Sequence, residues 1–535
     1  MFAAVVRHNG WLFYQGGDET FFYTSSWVLA GGHIPEAAIG YGWSYLLTPV
    51  ARIAGADLLA ALPAIVLLQT VVLLPVALAC IYSIGARIGG RAIGYLAAVL
   101  WVAAPYASIP LWQARYHGRY IEQLLPQSLG LTALGDFPSM VCLLVAAALC
   151  LRALDGAGRL DGLLAGLAAG FAVGIKPSNG LFLLGPALAF TAARRGRTGA
   201  AFCLGLAPSL LTLALWKYRG LGHLPLLTPT PRALAAGPAA VGFVQVHRYF
   251  NFDWHQLHEN YLELRSVLRG LVLLQALPVL GFVGALRRAP AKALLLFGWL
   301  LAFLLVKGSS DEASIDNASL LRLLIPALPA LVLLVACVPL FGERRAHRES
   351  PVSRRGAGRR TAVAAFTAFA VLPLLFVAAF PTLRAPTAVK YFDENVLVPV
   401  GDLSLDVRRL AGGRRELSWS AAPSPGVVSA YRVFRARPTV PAPDPTLPPG
   451  RDGVRCLAPP HGYRGAADCR LEMTLVATTT ATRFIDRPPP GPWVYRVALF
   501  ANWLHDENGG DLMLLSSPSV ARNGRRLADE LHSPG

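Results

Sequence analysis

The sequence predicts a polytopic α-helical membrane protein followed by an all-β sandwich. Three observations carry that expectation. The 535 residues are 54% hydrophobic and 15% charged, whereas soluble domains carry about 25% charged residues. The mean hydropathy is +0.46, and the apolar residues gather into long blocks, as membrane spans require. After about residue 383 the blocks give way to short alternating runs separated by Pro and Gly, the pattern of strands and turns.

The apolar segments run at about 59–84, 91–110, 137–153, 160–175, 178–193, 200–216, 267–286, 292–307, 320–341 and 362–382. Several fall short of the ~20 residues of an ordinary span. A polytopic bundle tolerates this where protein or water satisfies the backbone at the ends. Residues 1–13, MFAAVVRHNGWLF, are too short and too polar to cross alone and read as the stub of one further, truncated span. No small-residue cleavage site follows an apolar core, which argues against a signal peptide.

Formal net charge is +18, from 49 basic and 31 acidic residues. The basic residues fall between apolar blocks, so the charge reads as membrane topology and not as a nucleic-acid surface. Arg87 and Arg91 share one loop, and Arg152 and Arg159 the next of the same parity. Arg194, Arg195 and Arg197 follow, then Arg287, Arg288 and Lys292, then GERRAHRESPVSRRGAGRR. That side is expected to be cytoplasmic. The alternate loops hold Asp18, Glu19, Glu36, Glu122, Asp136, Asp253, Glu259, Glu263, Asp311, Glu312 and Asp316. The expectation is a multi-pass plasma-membrane protein with its C-terminal region extracytoplasmic.

Residues 1–382 thus form the membrane domain, 383–414 a linker, 415–520 the β domain and 521–535 a disordered tail. The strand-like runs are ELSWSAAP, VVSAYRVFRAR, LEMTLVATT, TRFIDRPPPGPWVYRVALFAN and LMLLSSPSV. Cys80, Cys142, Cys150, Cys203 and Cys337 lie in apolar blocks and act as small apolar residues. Cys456 and Cys469 lie in the polar part and are able to close a disulfide if that part is extracytoplasmic. No CxxC or Cys/His cluster points to zinc.

Four features in the outer loops carry chemistry. Asp18 and Glu19, in QGGDETFFYTSSWVLAGGHIP, open a segment of helical character, where Asp18 is able to cap the helix. Asp136, with Pro138, stands at the mouth of an apolar helix, where capping is again the plain reading. Lys176-Pro177 breaks two short apolar segments, and its ammonium either snorkels to the interface or meets an anion at a helix starting near Ser178. Arg322 lies inside the start of a span and needs an acidic or phosphate partner. Trp43, Tyr116 and Trp254 are able to stack on sugars or to form an interface belt. His117, in ARYHGRY, is a possible site residue, although a loop His is more often solvated.

The order of these features resembles the GT-C superfamily of membrane glycosyltransferases. The acidic pair, Asp-x-Pro, Lys-Pro and Arg-x-x-x-Pro follow the pattern of bacterial family-39-like enzymes related to protein O-mannosyltransferases and aminoarabinose transferases. GGHIPEAAIGYGWSYLLTPVARIAG resembles their first loop, and the resemblance covers about 1–345. It implies a GT-C-like bundle of about ten spans plus the truncated first helix. It also implies inverting transfer of a sugar, by a hexosyl- or pentosyltransferase, from a polyprenyl-phosphate sugar donor to a glycan or protein acceptor in the cell envelope. Asp18 is then the base or the group that orients the acceptor hydroxyl, and Glu19 helps place that acceptor. Asp136 contacts donor, acceptor or metal, while Lys176 and Arg322 hold the lipid phosphate. The pair is Asp-Glu, with no Asp-x-Asp, which leaves a divalent metal open. The second resemblance is to fibronectin type III modules over roughly 415–520, carried by Trp419, YRVFR at 431–435, and Tyr495 with Val497. A transporter or flippase of lipid-linked saccharides, expected to show polar residues through mid-helix and paired repeats, is the competing class. A non-catalytic scaffold displaying the β domain is the third.

Overall fold

The computed structural model describes residues 18–35, 37, 39–54, 58–107, 113, 124–156, 158–228, 252–267, 272–310, 313, 319–342, 358–381, 390–392, 396–398, 405–419, 430–436, 474–491, 493–500, 513–515 and 519–520. It divides into two compact units. One comprises Met1–Tyr14, Ala37–Thr48 and Leu62–Thr382, the other Gln15–Glu36, Pro49–Ala61 and Leu383–Gly535. The stub at 1–13 and the tail at 521–535 lie outside the described residues.

Where their residues are described, the ten apolar segments are helical. Among the described residues, five helices are long and apolar enough to cross a membrane by length and composition: Ala61–Gly89, Asp136–Asp155, Gly196–Leu221, Pro290–Gly308 and Ser319–Ala336. Arg91–Tyr106 and Thr367–Ala379 are shorter apolar helices. Large apolar side chains on these helices stay exposed, among them Val99, Leu204 and Leu211. Such patches in a folded chain mark contact with lipid or a partner.

Local chemistry sets the breaks. Helix Arg159–Ile175 stops at Lys176, which is extended (φ −134°, ψ 114°), because the following proline disfavours the helical conformation. The α-helix expected from Ser178 is instead a 3₁₀ turn, Pro177–Leu183, and α-structure resumes only at Leu184. Asn179 explains part of this: its buried amide donates back to Ala172 O at 2.8 Å, tying the turn to the previous helix. Likewise Pro326 and Pro329 split the segment at 320–341 into Ser319–Leu324, a 3₁₀ turn Ile325–Ala327, and Leu328–Ala336.

A glycine stripe fixes where Lys176 ends up. Gly162, Gly166, Gly170 and Gly174 recur every fourth residue and so share one helix face. A Cβ on Gly166 would collide with Phe202 O, and one on Gly162 would lie 2.8 Å from Thr198 O. The helix therefore packs backbone to backbone on Gly196–Leu221, the small-residue contact of membrane helices.

The second unit holds an antiparallel β structure. Strands β1 (Lys390–Phe392) and β2 (Val396–Val398) pair as a hairpin. Strands β3 (Asp406–Arg409), β4 (Arg415–Ser418) and β7 (Arg483–Asp486) form one sheet in the order β3-β4-β7. The other sheet is ordered β6-β5-β8-β10, from β5 (Ala430–Ala436), β6 (Thr474–Thr479), β8 (Val494–Phe500) and β10 (Ser519–Val520), with β9 (Met513–Leu515) also on β8. Val407, Leu417 and Trp419 join Tyr431, Val433, Tyr495 and Val497 in one buried cluster, so both sheets share a core. Strands β1 to β3 lie in the stretch read as a linker. β3 is DVRR, whose single apolar residue gives too little alternation to read.

A polar knot closes the edge of that core. Asp486 accepts from Tyr495 Oη at 2.7 Å and from Arg435 Nη1 at 2.8 and 3.1 Å, and the Arg435 guanidinium lies 4.6 Å from the Trp493 ring centre. Burial, and then the bond to the Asp486 carboxylate, push the Tyr495 phenol above its ordinary value.

Candidate functional site

Asp136 is the first residue of helix Asp136–Asp155 and follows a loop with no regular structure. After the turn Leu125–Ser128 the chain reverses at Gly130, whose φ of +71° suits glycine. Leu131 N donates to Pro126 O at 2.9 Å and Leu134 N to Thr132 Oγ1 at 3.3 Å. Two side chains from elsewhere bind the next carbonyls: Gln69 Nε2 donates to Thr132 O at 2.6 Å, and Trp43 Nε1 to Ala133 O at 2.8 Å.

The helix is capped by Gly135, without a side-chain cap. The Asp136 carboxylate does something else. Lys176 Nζ donates to its Oδ1 at 2.5 Å, and Arg322 Nε lies 3.4 Å from its Oδ2. Three broken helix ends thus meet at one carboxylate. Asp136 is 1% exposed, Lys176 18% and Arg322 29%. A buried carboxylate is costly unless paired, and here both oxygens are paired. The carboxylate is enclosed, and the accessible side of the set belongs to Lys176 and Arg322. Such a set is suited to receive an anion, phosphate above all, by charge and by directed N–H donors.

Asp18 and Glu19 lie in the other unit, in the first turn of helix Asp18–Ala30, where carboxylates favour the helix dipole. Glu19 is fully buried. The Gly-Gly-His that follows closes this helix: Gly32 has φ +78°, and His33 N donates to Val28 O and Gly32 N to Leu29 O.

Trp43, a candidate sugar contact, is fully buried in protein, with its N–H spent on Ala133. Its ring therefore presents no open face for stacking. Trp254 is 71% exposed and packs edge-on to Phe252 at 4.7 Å. Asp253 caps that helix through His255 N at 2.8 Å. Tyr116, His117, Cys456 and Cys469 lie outside the described residues. Among the described residues no group of three or more His, Cys, Asp or Glu is placed to hold a metal.

Sequence reasoning missed two residues. Gln69, buried in an apolar segment, was signalled only by being polar there. Asp155, at the far end of the Asp136 helix, sits among the basic loops. It binds Arg87 Nη1 at 2.7 Å and Lys292 Nζ at 2.5 Å, while Arg152 pairs with Asp161 at 3.3 Å. The 20 residues of this helix, at about 1.5 Å each, put the two clusters roughly 30 Å apart.

No family model matches the chain, and no curated protein matches it. Among solved structures, the chain is similar to one described as the crystal structure of ArnT from Cupriavidus metallidurans bound to undecaprenyl phosphate. The TM-score is 0.41 and the identity 15%, over 69% of this chain and 61% of that one. The chain thus spans about three fifths of that structure's length. A likeness at this level assigns no role to any residue here.

Proposed function

We propose that this chain is a GT-C-like membrane glycosyltransferase. It moves a sugar from a polyprenyl-phosphate donor to an acceptor hydroxyl on the extracytoplasmic side, with inversion. One observation carries the reading: Asp136 holds Lys176 and Arg322 together at the mouth of an apolar helix. A lipid-linked phosphate presents its charge at the bilayer edge, and two partly exposed cationic donors oriented at a helix end are fitted to meet it.

In this reading the glycosidic C–O bond to phosphate breaks as the acceptor oxygen attacks the opposite face of the anomeric carbon. Negative charge grows on the departing phosphate, where Lys176 and Arg322 stabilise it in a site of low dielectric. Asp136 keeps the two cations oriented, so little reorganisation accompanies the step. Asp18 is assigned as the base that takes the acceptor proton and Glu19 as an aid to placing the acceptor, on the order of motifs in the sequence. The Asp155 cluster joins Arg87 and Lys292, from two of the basic loops, at one helix end, as a shared side for those loops requires.

The β unit reads as a fibronectin type III-like module outside the cell. Trp419 packed on Tyr431 at 5.4 Å and the buried Tyr495 and Val497 support this. It binds glycan, positions the acceptor or acts as a spacer.

The test is transfer in vitro from a panel of polyprenyl-phosphate sugars by wild type, Arg322→Met and Asp18→Asn. Transfer by wild type, with loss in both variants, is expected. Equal transfer by Asp18→Asn removes that residue from the mechanism. Flipping without transfer favours a transporter.

A further inference from the structure

We infer that Trp43 and Gln69 are positioning residues for Asp136. They donate to consecutive carbonyls of the loop that delivers the aspartate, and so fix its carboxylate between Lys176 and Arg322. The functional consequence rests on the reading proposed above; the geometric claim does not.

Each buried backbone carbonyl needs a donor. In the loop before Asp136, Thr132 O and Ala133 O take theirs from side chains 63 and 90 residues earlier in the chain. Gln69 and Trp43 are both 0% exposed, as is Ala133, and Leu131, Thr132 and Leu134 are within 3% of it. Buried hydrogen bonds of this kind hold geometry tightly because water does not compete for either partner. The loop is short, and its last residue, Gly135, caps the helix on which Asp136 stands. Fixing two adjacent carbonyls therefore fixes where the carboxylate begins.

Gln69 is placed by an unusual device. It lies in a π-helical turn, Leu68–Leu73, between α-helices Leu58–Leu67 and Leu74–Gly89. Wide turns of this type recur where a helix must aim a side chain. A buried amide inside a 29-residue apolar segment is costly unless it is used. Its Oε1 has no hydrogen-bond partner among the described residues, so this position keeps a donor at the expense of an acceptor. Gly130 makes room: a Cβ there would lie 3.2 Å from Gln69 Cβ and 2.8 Å from the Phe137 ring.

Trp43 links the loop to the second member of the cluster. Just before it, a Cβ on Gly40 would collide with the backbone of Gly174 and Ile175, and one on Gly42 would lie 2.7 Å from the Ile175 side chain. Ile175 is the neighbour of Lys176. One short stretch, Gly40–Trp43, thus braces both the backbone that carries the ammonium and the loop that carries the carboxylate.

The experiment uses the full chain in nanodiscs. Gln69→Met keeps length without a donor, and Trp43→Phe keeps a ring without the N–H. Hydrogen exchange is followed by mass spectrometry in peptides covering 129–136 and, for reference, 196–221. Each variant is expected to exchange about tenfold faster at 129–136, with 196–221 unchanged. Polyprenyl phosphate, titrated without sugar, is expected to bind about tenfold more weakly to each. Adding Gln69→Met to Asp136→Asn is expected to weaken binding no further, because the group being positioned is already gone. Unchanged exchange at 129–136, equal acceleration in both regions, or full additivity with Asp136→Asn overturns the inference. Wild type that fails to bind polyprenyl phosphate while exchange behaves as expected removes the proposed function and leaves Trp43 and Gln69 as positioning residues.

Discussion

Lys176 Nζ lies 2.5 Å from Asp136 Oδ1, although the two residues are 40 positions apart and stand at the ends of different helices. Arg322 closes the other side of the same carboxylate. Lys176 and Arg322 thus share one buried carboxylate.

Removing the carboxylate takes from Lys176 and Arg322 the partner they share. Asp136→Leu is expected to lower stability by about 3–5 kcal/mol, the usual cost of breaking a buried pair by deleting one partner. Thermal unfolding in detergent, compared with Asp136→Leu combined with Lys176→Met, checks this. The double variant is expected to recover part of the loss. A double variant as unstable as the sum of the single ones shows that the pair is not coupled.

Arg322→Lys keeps the charge and removes the planar fork. Phosphate recognition by guanidinium depends on that geometry. Polyprenyl phosphate is expected to bind several-fold more weakly to Arg322→Lys, with an unfolding midpoint close to wild type. Calorimetric titration beside a melting curve reads both. A midpoint that falls while affinity holds assigns Arg322 to the scaffold alone.

Much of this was legible in the chain, for identifiable reasons. The described parts of the ten apolar segments are helical because a hydrophobic block of that length satisfies its backbone in lipid by closing hydrogen bonds within the segment. Asp136, Lys176 and Arg322 stood out because each is charged at the edge of an apolar block and lies near a proline. That they meet at one carboxylate was hidden, since the glycine stripe and the proline breaks that bring them together act only in three dimensions. Trp43 was read as a surface aromatic because an indole looks the same in sequence whether its N–H faces a sugar or a backbone carbonyl. Gln69 was passed over inside its apolar segment. Strand β3 was taken for linker because three of its four residues are charged.

The backbone contact between Arg159–Ile175 and Gly196–Leu221 leaves no room for side chains at its centre. Gly166→Ala puts a methyl group against Phe202 O. Overpacking of this kind costs about 1–3 kcal/mol, and Gly166→Leu is expected to cost more. Gly156→Ala, where a Cβ meets only Arg152 O at 3.9 Å, serves as the control and is expected to be near neutral. Melting curves that rank Gly156→Ala below Gly166→Ala contradict the packing.

In the β unit, the raised Tyr495 phenol carries a pH dependence whose sign follows from linkage. The folded state holds the phenol proton more tightly than the unfolded chain, whose tyrosines lose theirs near pH 10. The stability this contributes is complete below about pH 10 and is lost as pH rises beyond it. Alkaline titration of phenolate absorbance is the measurement. The difference between wild type and Tyr495→Phe is expected to show one phenol ionising later than an ordinary tyrosine. A difference curve centred on the ordinary value means that the Asp486 bond and burial do not hold the proton.

The far end of helix Asp136–Asp155 offers the sharpest contrast. Asp155 also binds two cations, Arg87 and Lys292, and Lys292 in addition donates to Arg87 O at 2.6 Å. The composition matches that of the Asp136 cluster, but the Asp155 carboxylate is 19% exposed against 1% for Asp136. Water and salt therefore screen the Asp155 pairs, which places them with surface ion pairs worth at most about 1 kcal/mol. Asp155→Asn is expected to lower the melting temperature slightly, with the difference from wild type shrinking as salt is raised. It is expected to leave polyprenyl-phosphate affinity unchanged, because the cluster lies roughly 30 Å from Lys176 and Arg322 along the helix. Asp136→Asn is expected to weaken that affinity, with a stability change less sensitive to salt. Measuring both variants across a salt series separates the two ends: equal losses of affinity would falsify the assignment of the phosphate site to the Asp136 end.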